Sequence, residues 1–199
     1  MKKIIFATSN EGKMKEVRMI LQDLGYPIIS LKEAGIKVDI VEDGDTFEAN
    51  AVIKAKTIME MTGEIVLADD SGLEVDAMDK APGIYSARFL GEDTSYEIKN
   101  HYIIDKLKDV EQQDRSARFV CAIACAFPDG EIITKTATVE GFIGYEPLGD
   151  NGFGYDPIFF VPEFNCTTAQ LTMEQKNQIS HRSKALEAMK REIRSRETL

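Results

Sequence analysis

The sequence has no tryptophan, two histidines, three cysteines and six prolines in 199 residues. Cys121, Cys125 and Cys166 form no C-x-x-C pair and are odd in number. That is poor material for a disulfide framework and points to a reducing, cytoplasmic setting. With only His101 and His181 there is little from which to build a His/Cys zinc site. No run is long and apolar enough to span a bilayer. Met1, Lys2 and Lys3 followed by Ile4 to Ala7 imitate a signal peptide, but the apolar run is short and the polar Thr8, Ser9 and Asn10 follow. Positive charge is scarce too. Lys and Arg number 24 against 34 Asp and Glu, a formal net charge of -10. Such a chain is a poor binder of a nucleic acid polymer or of an anionic membrane. Any phosphate it holds must meet a local cluster of cations, a helix N-terminus or a metal. Repeats and low-complexity linkers are also lacking.

What is present suffices for one sizeable core. The chain is 43% hydrophobic, which fits a single domain over residues 1–199 or two closely packed lobes. Lys3 to Ala7 reads as a buried strand. Asn10 can cap the helix that follows, in which Met14, Val17, Ile20, Leu21 and Leu24 recur at helical spacing. Thr8, Ser9, Asn10, Glu11, Gly12 and Lys13 then lie at a helix N-terminus, where free N–H groups and the dipole suit an anion. Lys13 opposes that dipole, which is odd for stability and sensible for phosphate. An ordinary capped surface helix is the alternative.

Pro27 to Leu31 reads as a second strand. The alternation of Ile36, Val38 and Ile40 with Lys37, Asp39 and Val41 reads as a third. Asp45 and Glu48 resemble a capping box for a helix of roughly residues 46–62, with Phe47, Ala51, Ala55, Ile58 and Met59 inward. Asn50 and Lys54 share one face of it.

Ile65 to Asp76 (I-V-L-A-D-D-S-G-L-E-V-D) is an apolar run entering two adjacent carboxylates. Unpaired, Asp69 and Asp70 would cost several kcal/mol to bury. They therefore want a metal, a lysine or backbone N–H groups. Successive strand residues face opposite ways, so both carboxylates reach one ligand only if the chain bends, as Gly72 would permit. The alternative is a turn cap and a surface ion pair.

Thr94 or Ser95 opens an amphipathic helix through Ile98, Tyr102, Ile103 and Leu107. Ala117 to Phe127 and Glu131 to Val139 form a hairpin through Pro128-Asp129-Gly130. Asp150 to Pro157 carries Phe153 between Gly152 and Gly154, with Tyr155 next, a loop suited to a flat ligand on an aromatic ring. Ile158 to Val161 is a strand stopped by Pro162. Leu171 to Gln175 starts a short helix carrying Lys176. Ser180 can cap a final helix with Ala185, Leu186, Met189 and Ile193 inward. His181 and Arg182 fall in its first turn, where positive charge is disfavoured and an acceptor-rich partner is wanted.

These anomalies complement one another. Glu42, Asp69 and Asp70 are hard oxygen donors for a divalent cation. Lys13, Lys54 and the helix start suit phosphates. The Gly/aromatic loop with His181 and Arg182 suits a base. Metal-dependent chemistry on a nucleotide follows.

In this order Thr8-Ser-Asn-Glu-Gly-Lys13, Glu42 with Thr46-Phe-Glu-Ala-Asn50 and Lys54, Ala68-Asp-Asp-Ser-Gly72, Pro82-Gly-Ile-Tyr-Ser-Ala-Arg88, Gly152-Phe-Gly-Tyr-Asp-Pro157 and Ser180-His-Arg182 resemble the inosine triphosphatase, or HAM1, family. The likeness covers nearly the whole chain. It implies an α/β fold with a long mixed central sheet flanked by helices and two lobes around an active-site cleft. It implies Mg2+-dependent hydrolysis of ITP, dITP and XTP to the monophosphate and pyrophosphate, in a homodimer. Thr8 to Lys13 would hold the triphosphate and Lys54 would assist. Glu42 and Asp70 would ligate Mg2+, and Asp70 would activate water with Asp69 in support. Ser71 would touch substrate. Phe153, Gly154, Tyr155, Asp156, Lys176, His181 and Arg182 would meet the base. Asn165-Cys-Thr-Thr-Ala-Gln170 departs from the family, which usually has Gly there and Glu at the end. A silent nucleotide-binding regulator and a pyrophosphatase for other modified nucleotides are the competing readings. The tail Arg194 to Leu199 matches nothing in the family and is expected to fray.

Overall fold

The computed structural model describes residues 3–197. Expectations that fall on Met1, Lys2, Thr198 and Leu199 lie outside the described residues. Among those described, seven strands form one sheet. They are β1 (Ile4–Phe6), β2 (Ile28–Ser30), β3 (Ile65–Val75), β4 (Ser116–Ala126), β5 (Ile132–Ile143), β6 (Phe159–Val161) and β7 (Cys166–Thr167). Their order is β2-β1-β3-β4-β5-β6-β7. β1 pairs in parallel with β2 and with β3, Ile4 lying opposite Ile28 and Ile65. β6 pairs antiparallel with β5 and with β7. The sheet is therefore mixed. The helices are α1 (Glu11–Leu21), α2 (Phe47–Thr62), α3 (Tyr96–Lys106), α4 (Met173–Ile179) and α5 (His181–Glu197). No described helix is long and apolar enough to cross a membrane.

The chain divides into two compact units. The first draws on Met1–Asp70, Cys121–Ala137 and His181–Leu199, the second on Ser71–Val120 and Thr138–Ser180. In the first, Met14, Val17 and Leu21 of α1 pack with Ala185, Leu186, Met189 and Ile193 of α5 and with Ile4, Phe6, Leu67, Cys121 and Ile123 of the sheet. Burying an apolar side chain of this size is worth about 1.5–3 kcal/mol each. The second has its own core of Leu73, Val75, Ile103, Leu107, Phe119, Tyr155, Phe159 and Leu171.

Several local expectations need correction. Residues 36–41 form no strand. Their exposure alternates as read, but they pair with no strand of the sheet. The cap of α2 is Thr46, whose hydroxyl accepts the Ala49 N–H at 3.0 Å, not Asp45. β3 runs through Gly72 without a break. On α3 the buried residues are Lys99, Asn100 and Ile103, while Ile98 is 58% exposed. Arg194 and Arg196 do not fray. Arg194 donates to Asp23 and Arg196 meets Glu131, with its guanidinium over the ring of Phe127. The departing stretch folds compactly, since Gln170 accepts the Thr167 N–H and closes a capping box as a Glu would.

Candidate active site

β1 delivers the chain into a loop that its own side chains shape. Thr8 Oγ1 accepts the Asn10 N–H at 3.2 Å, and Asn10 Oδ1 accepts the Lys13 N–H at 3.0 Å. Asn10 is thus the N-cap of α1, with Glu11 in the first turn. Ser9, Asn10 and Glu11 are exposed, Gly12 and Lys13 half-buried. The remaining helix N–H groups and the dipole leave an electropositive mouth.

Two carboxylate–cation clusters lie in the same unit, one for each aspartate of β3. Lys13 Nζ stands 2.8 Å from Asp69 Oδ2. Arg182 Nε and Nη2 approach the same oxygen at 3.4 Å, and Arg182 Nη1 meets Glu16. Burial works against the charge on Asp69, but Lys13 and Arg182 outweigh it and hold the carboxyl well below its ordinary range. Burial likewise opposes the Arg182 charge, and Asp69 and Glu16 more than restore it. The two cations that looked misplaced at helix starts therefore face carboxylates of the protein itself.

Asp70 has a different setting. Lys54 Nζ stands 2.7 Å from Glu42 Oε2 and 3.6 Å from Asp70 Oδ1. Asn50, wholly buried on α2, donates Nδ2 to Asp70 Oδ2 at 3.1 Å and accepts the Gly44 N–H at 2.9 Å. Burial pushes the Asp70 carboxyl up, Glu42 adds to it, and Lys54 and Asn50 offset only part. Lys54 is desolvated, yet Asp70, Asp69 and Glu42 raise its pKa. No bend was needed, because Asp69 and Asp70 are each answered by different side chains.

The donor set fits a hard divalent cation. Glu42 and Asp70 share one ammonium group, and after burial the Glu42 charge is what raises the Asp70 pKa. Among the described residues no group of three or more His, Cys, Asp or Glu is placed to hold a metal. A cation held by two carboxylates takes its other ligands from water and phosphate oxygens, as Mg2+ commonly does.

The second unit carries the Gly/aromatic loop and Ser71, half-buried in β3 beyond Asp70. Asp156 organises the loop. Its Oδ2 accepts Lys176 Nζ at 2.7 Å and the Phe153 N–H at 2.8 Å, and its Oδ1 accepts Thr168 Oγ1 at 2.8 Å. Lys176 Nζ lies 4.7 Å from the centre of the Phe153 ring, a cation–π distance. Gly152, at φ +77, has no room for a side chain, since a Cβ would come within 2.2 Å of Asp156 Oδ2. Tyr155 is buried and donates its hydroxyl to Ser86 O at 2.8 Å.

The structure thus gathers Lys13, Asp69 and Arg182 in one cluster and Glu42, Lys54 and Asp70 in another. Phe153, Asp156 and Lys176 make a third. His181 is buried beside Arg182 at the start of α5. Sequence reading missed Glu16, Asn50 as a partner of Asp70, and Thr168. Glu16 is 3% exposed, but it flanks the apolar stripe of α1 and periodicity carries no sign of its partner. Cys121, buried in the first unit, has its thiol pushed up to about 12 by burial and then by Asp69, so it is inert at neutral pH.

A model of the Ham1 family matches residues 4–192. A dITP/XTP pyrophosphatase of Bacillus licheniformis is 49% identical, over 95% of this chain and 96% of its own. One from Exiguobacterium sibiricum is 50% identical, over 94% of each. Among solved structures, the Ham1 protein of Staphylococcus aureus superposes with a TM-score of 0.88 at 42% identity, over 98% of this chain and 100% of that one. A HAM1 protein from Coxiella burnetii gives 0.89 at 38% identity, with the same coverage.

Proposed function

The chain belongs to the Ham1 family, and from that premise we propose that it hydrolyses non-canonical purine nucleoside triphosphates (ITP, dITP and XTP) to the monophosphate and pyrophosphate. The observation that carries the reading is Asp70, a buried carboxylate of raised pKa next to Lys54 and Glu42. A general base works best when its pKa moves toward the operating pH.

In this reading the first turn of α1 and the Lys13 ammonium take the triphosphate. Asp70 accepts a proton from a water molecule as that water's oxygen attacks the α-phosphorus. The bond from the α-phosphorus to the bridging oxygen breaks, and pyrophosphate leaves with that oxygen. Lys13 and Lys54 offset the charge that builds on the phosphate oxygens. Asp69, held ionised by Lys13 and Arg182, fixes where Lys13 starts. Mg2+, with Glu42 and Asp70 as its protein ligands, would polarise the phosphate and neutralise the leaving group. The base would stack on Phe153, with Lys176 as a donor to its 6-oxo group. His181 and Arg182 are the other residues the resemblance assigns to it. Adenine has a 6-amino group instead and would leave buried donors unpaired, which discriminates strongly. A homodimer working in the cytoplasm belongs to the same reading, and the three free thiols support the reducing compartment.

Product analysis with Mg2+ and ITP, XTP, ATP, GTP or CTP tests it. Monophosphate and pyrophosphate from ITP and XTP, with little from the others, is expected. Diphosphate and orthophosphate would place the attack at the γ-phosphorus and overturn it. Binding of ITP without turnover would favour the silent regulator. Sedimentation velocity tests the dimer, whose expected mass is twice the 22.2 kDa of one chain.

A further inference from the structure

The base-side loop is gripped by one face of α3, to which neither the family motifs nor the mechanism gives a part. Tyr96, Lys99, Asn100 and Ile103 follow one another at helical spacing. At two buried positions of this stripe the residues are polar: Lys99 is 1% and Asn100 4% exposed. Apolar residues would pack there without any desolvation penalty. Instead Asn100 Nδ2 donates to Gly154 O at 3.2 Å, while its buried Oδ1 accepts from nothing among the described residues. Lys99 Nζ donates to Ala87 O at 2.6 Å and lies 4.8 Å from the centre of the Tyr96 ring. Tyr96 meets Tyr155 edge-on at 5.2 Å, and its ring is the nearest neighbour of Gly154 Cα's missing side chain. About one helical turn therefore spends two side chains, Tyr96 and Asn100, on the backbone and aromatic of a single loop, while Lys99 holds the neighbouring segment at Ala87.

We propose that Asn100 is a positioning residue for base recognition, with Tyr96 as its support. The Phe153 N–H is already fixed by Asp156. Asn100 fixes the other end of the same dipeptide, the carbonyl of Gly154. Held at both ends, Phe153 keeps one pitch, and the Lys176 ammonium keeps its place above the ring. The preorganisation saves the nucleotide from ordering the loop itself. The assignment rests on the reading that this loop binds the base.

Its test compares Asn100→Ala with Tyr96→Leu, the second at a position 39% exposed that the core does not need. Each variant is assayed for ITP hydrolysis and for inhibition by inorganic triphosphate, which has no base. Losing one positioned hydrogen bond should raise KM for ITP about tenfold with kcat little changed. The inhibition constant for triphosphate should stay where it is, and preference for ITP over GTP should fall. A merely structural role would shift both constants together or neither, and either result in a folded variant overturns the proposal. If the wild-type protein itself fails to turn over ITP, the functional reading falls, and this assignment with it. Normal wild-type turnover with an unmoved KM in both variants sinks the assignment alone.

Discussion

Asp69 meets two cations and Asp70 chiefly one, and the titration of the two acids diverges accordingly. Asp69 is held well below its unfolded value of 3.8 by Lys13 and Arg182 despite burial. Its contribution to stability is complete above that value and is lost as pH falls through the folded pKa. Asp69→Asn should therefore destabilise the protein at neutral pH by about 3–5 kcal/mol, because it strands part of a buried ion network. In urea titrations the gap from wild type should narrow below the unfolded value, and a gap independent of pH would refute the assignment. Asp70 has the opposite sign. Burial and Glu42 raise its folded pKa, so its contribution is most favourable below 3.8 and is lost as pH rises through the folded value. Asp70→Asn removes that burden while keeping the shape. Turnover should fall by about 10²–10⁴-fold, the usual worth of a general base, with no loss of thermal stability. Near-normal turnover would remove Asp70 from the reaction.

The elements that position these groups depend on a few local devices. Thr46 caps α2, which carries both Asn50 and Lys54. Thr46→Ala should cost about 1 kcal/mol in chemical denaturation, and a neutral result would mean that the cap is idle. In the Gly152–Asp156 loop, Gly152 is at φ +77 and faces the Asp156 carboxylate. Gly152→Ala should displace that carboxylate from both the Phe153 N–H and Lys176, at a cost of roughly 1–3 kcal/mol. ITP hydrolysis should show the displacement as a raised KM, and wild-type stability together with a wild-type KM would contradict it. The same scale shows where sequence patterns mislead. Residues 36–41 alternate in exposure yet pair with nothing in the sheet, because alternation describes a half-buried extended segment and only ladder pairing with a neighbour makes it a strand. On α3 the apolar pattern finds the buried Ile103 and Leu107 but not the buried Lys99 and Asn100, which are polar. The apolar Ile98 is exposed.

At the scale of the molecule, β3, β4 and β5 each begin in one compact unit and end in the other. The backbone thus couples two cores, and unfolding should be a single cooperative transition. Of the six tyrosines, all but Tyr26 lie in the second unit, whereas α1, α2 and α5 lie in the first. With no tryptophan to blur the signal, tyrosine fluorescence and far-UV circular dichroism therefore weight different units. Their urea midpoints should coincide, and two separated midpoints would mean the units unfold independently.

By itself the sequence determined the amphipathic helices α1, α2 and α5, the buried strands, the hairpin at Pro128-Asp129-Gly130 and the motifs that mark the chain as a nucleotide enzyme's. All of these are short-range signals, read from periodicity, caps and turn residues within one window. Only the tertiary structure decided what each polar group answers to. Arg182 reaches Asp69 across 113 positions and Glu16 across 166, and Asn100 reaches Gly154 across 54. A buried charge or amide is stable only with a partner, and nothing in the local pattern names a partner so far along the chain.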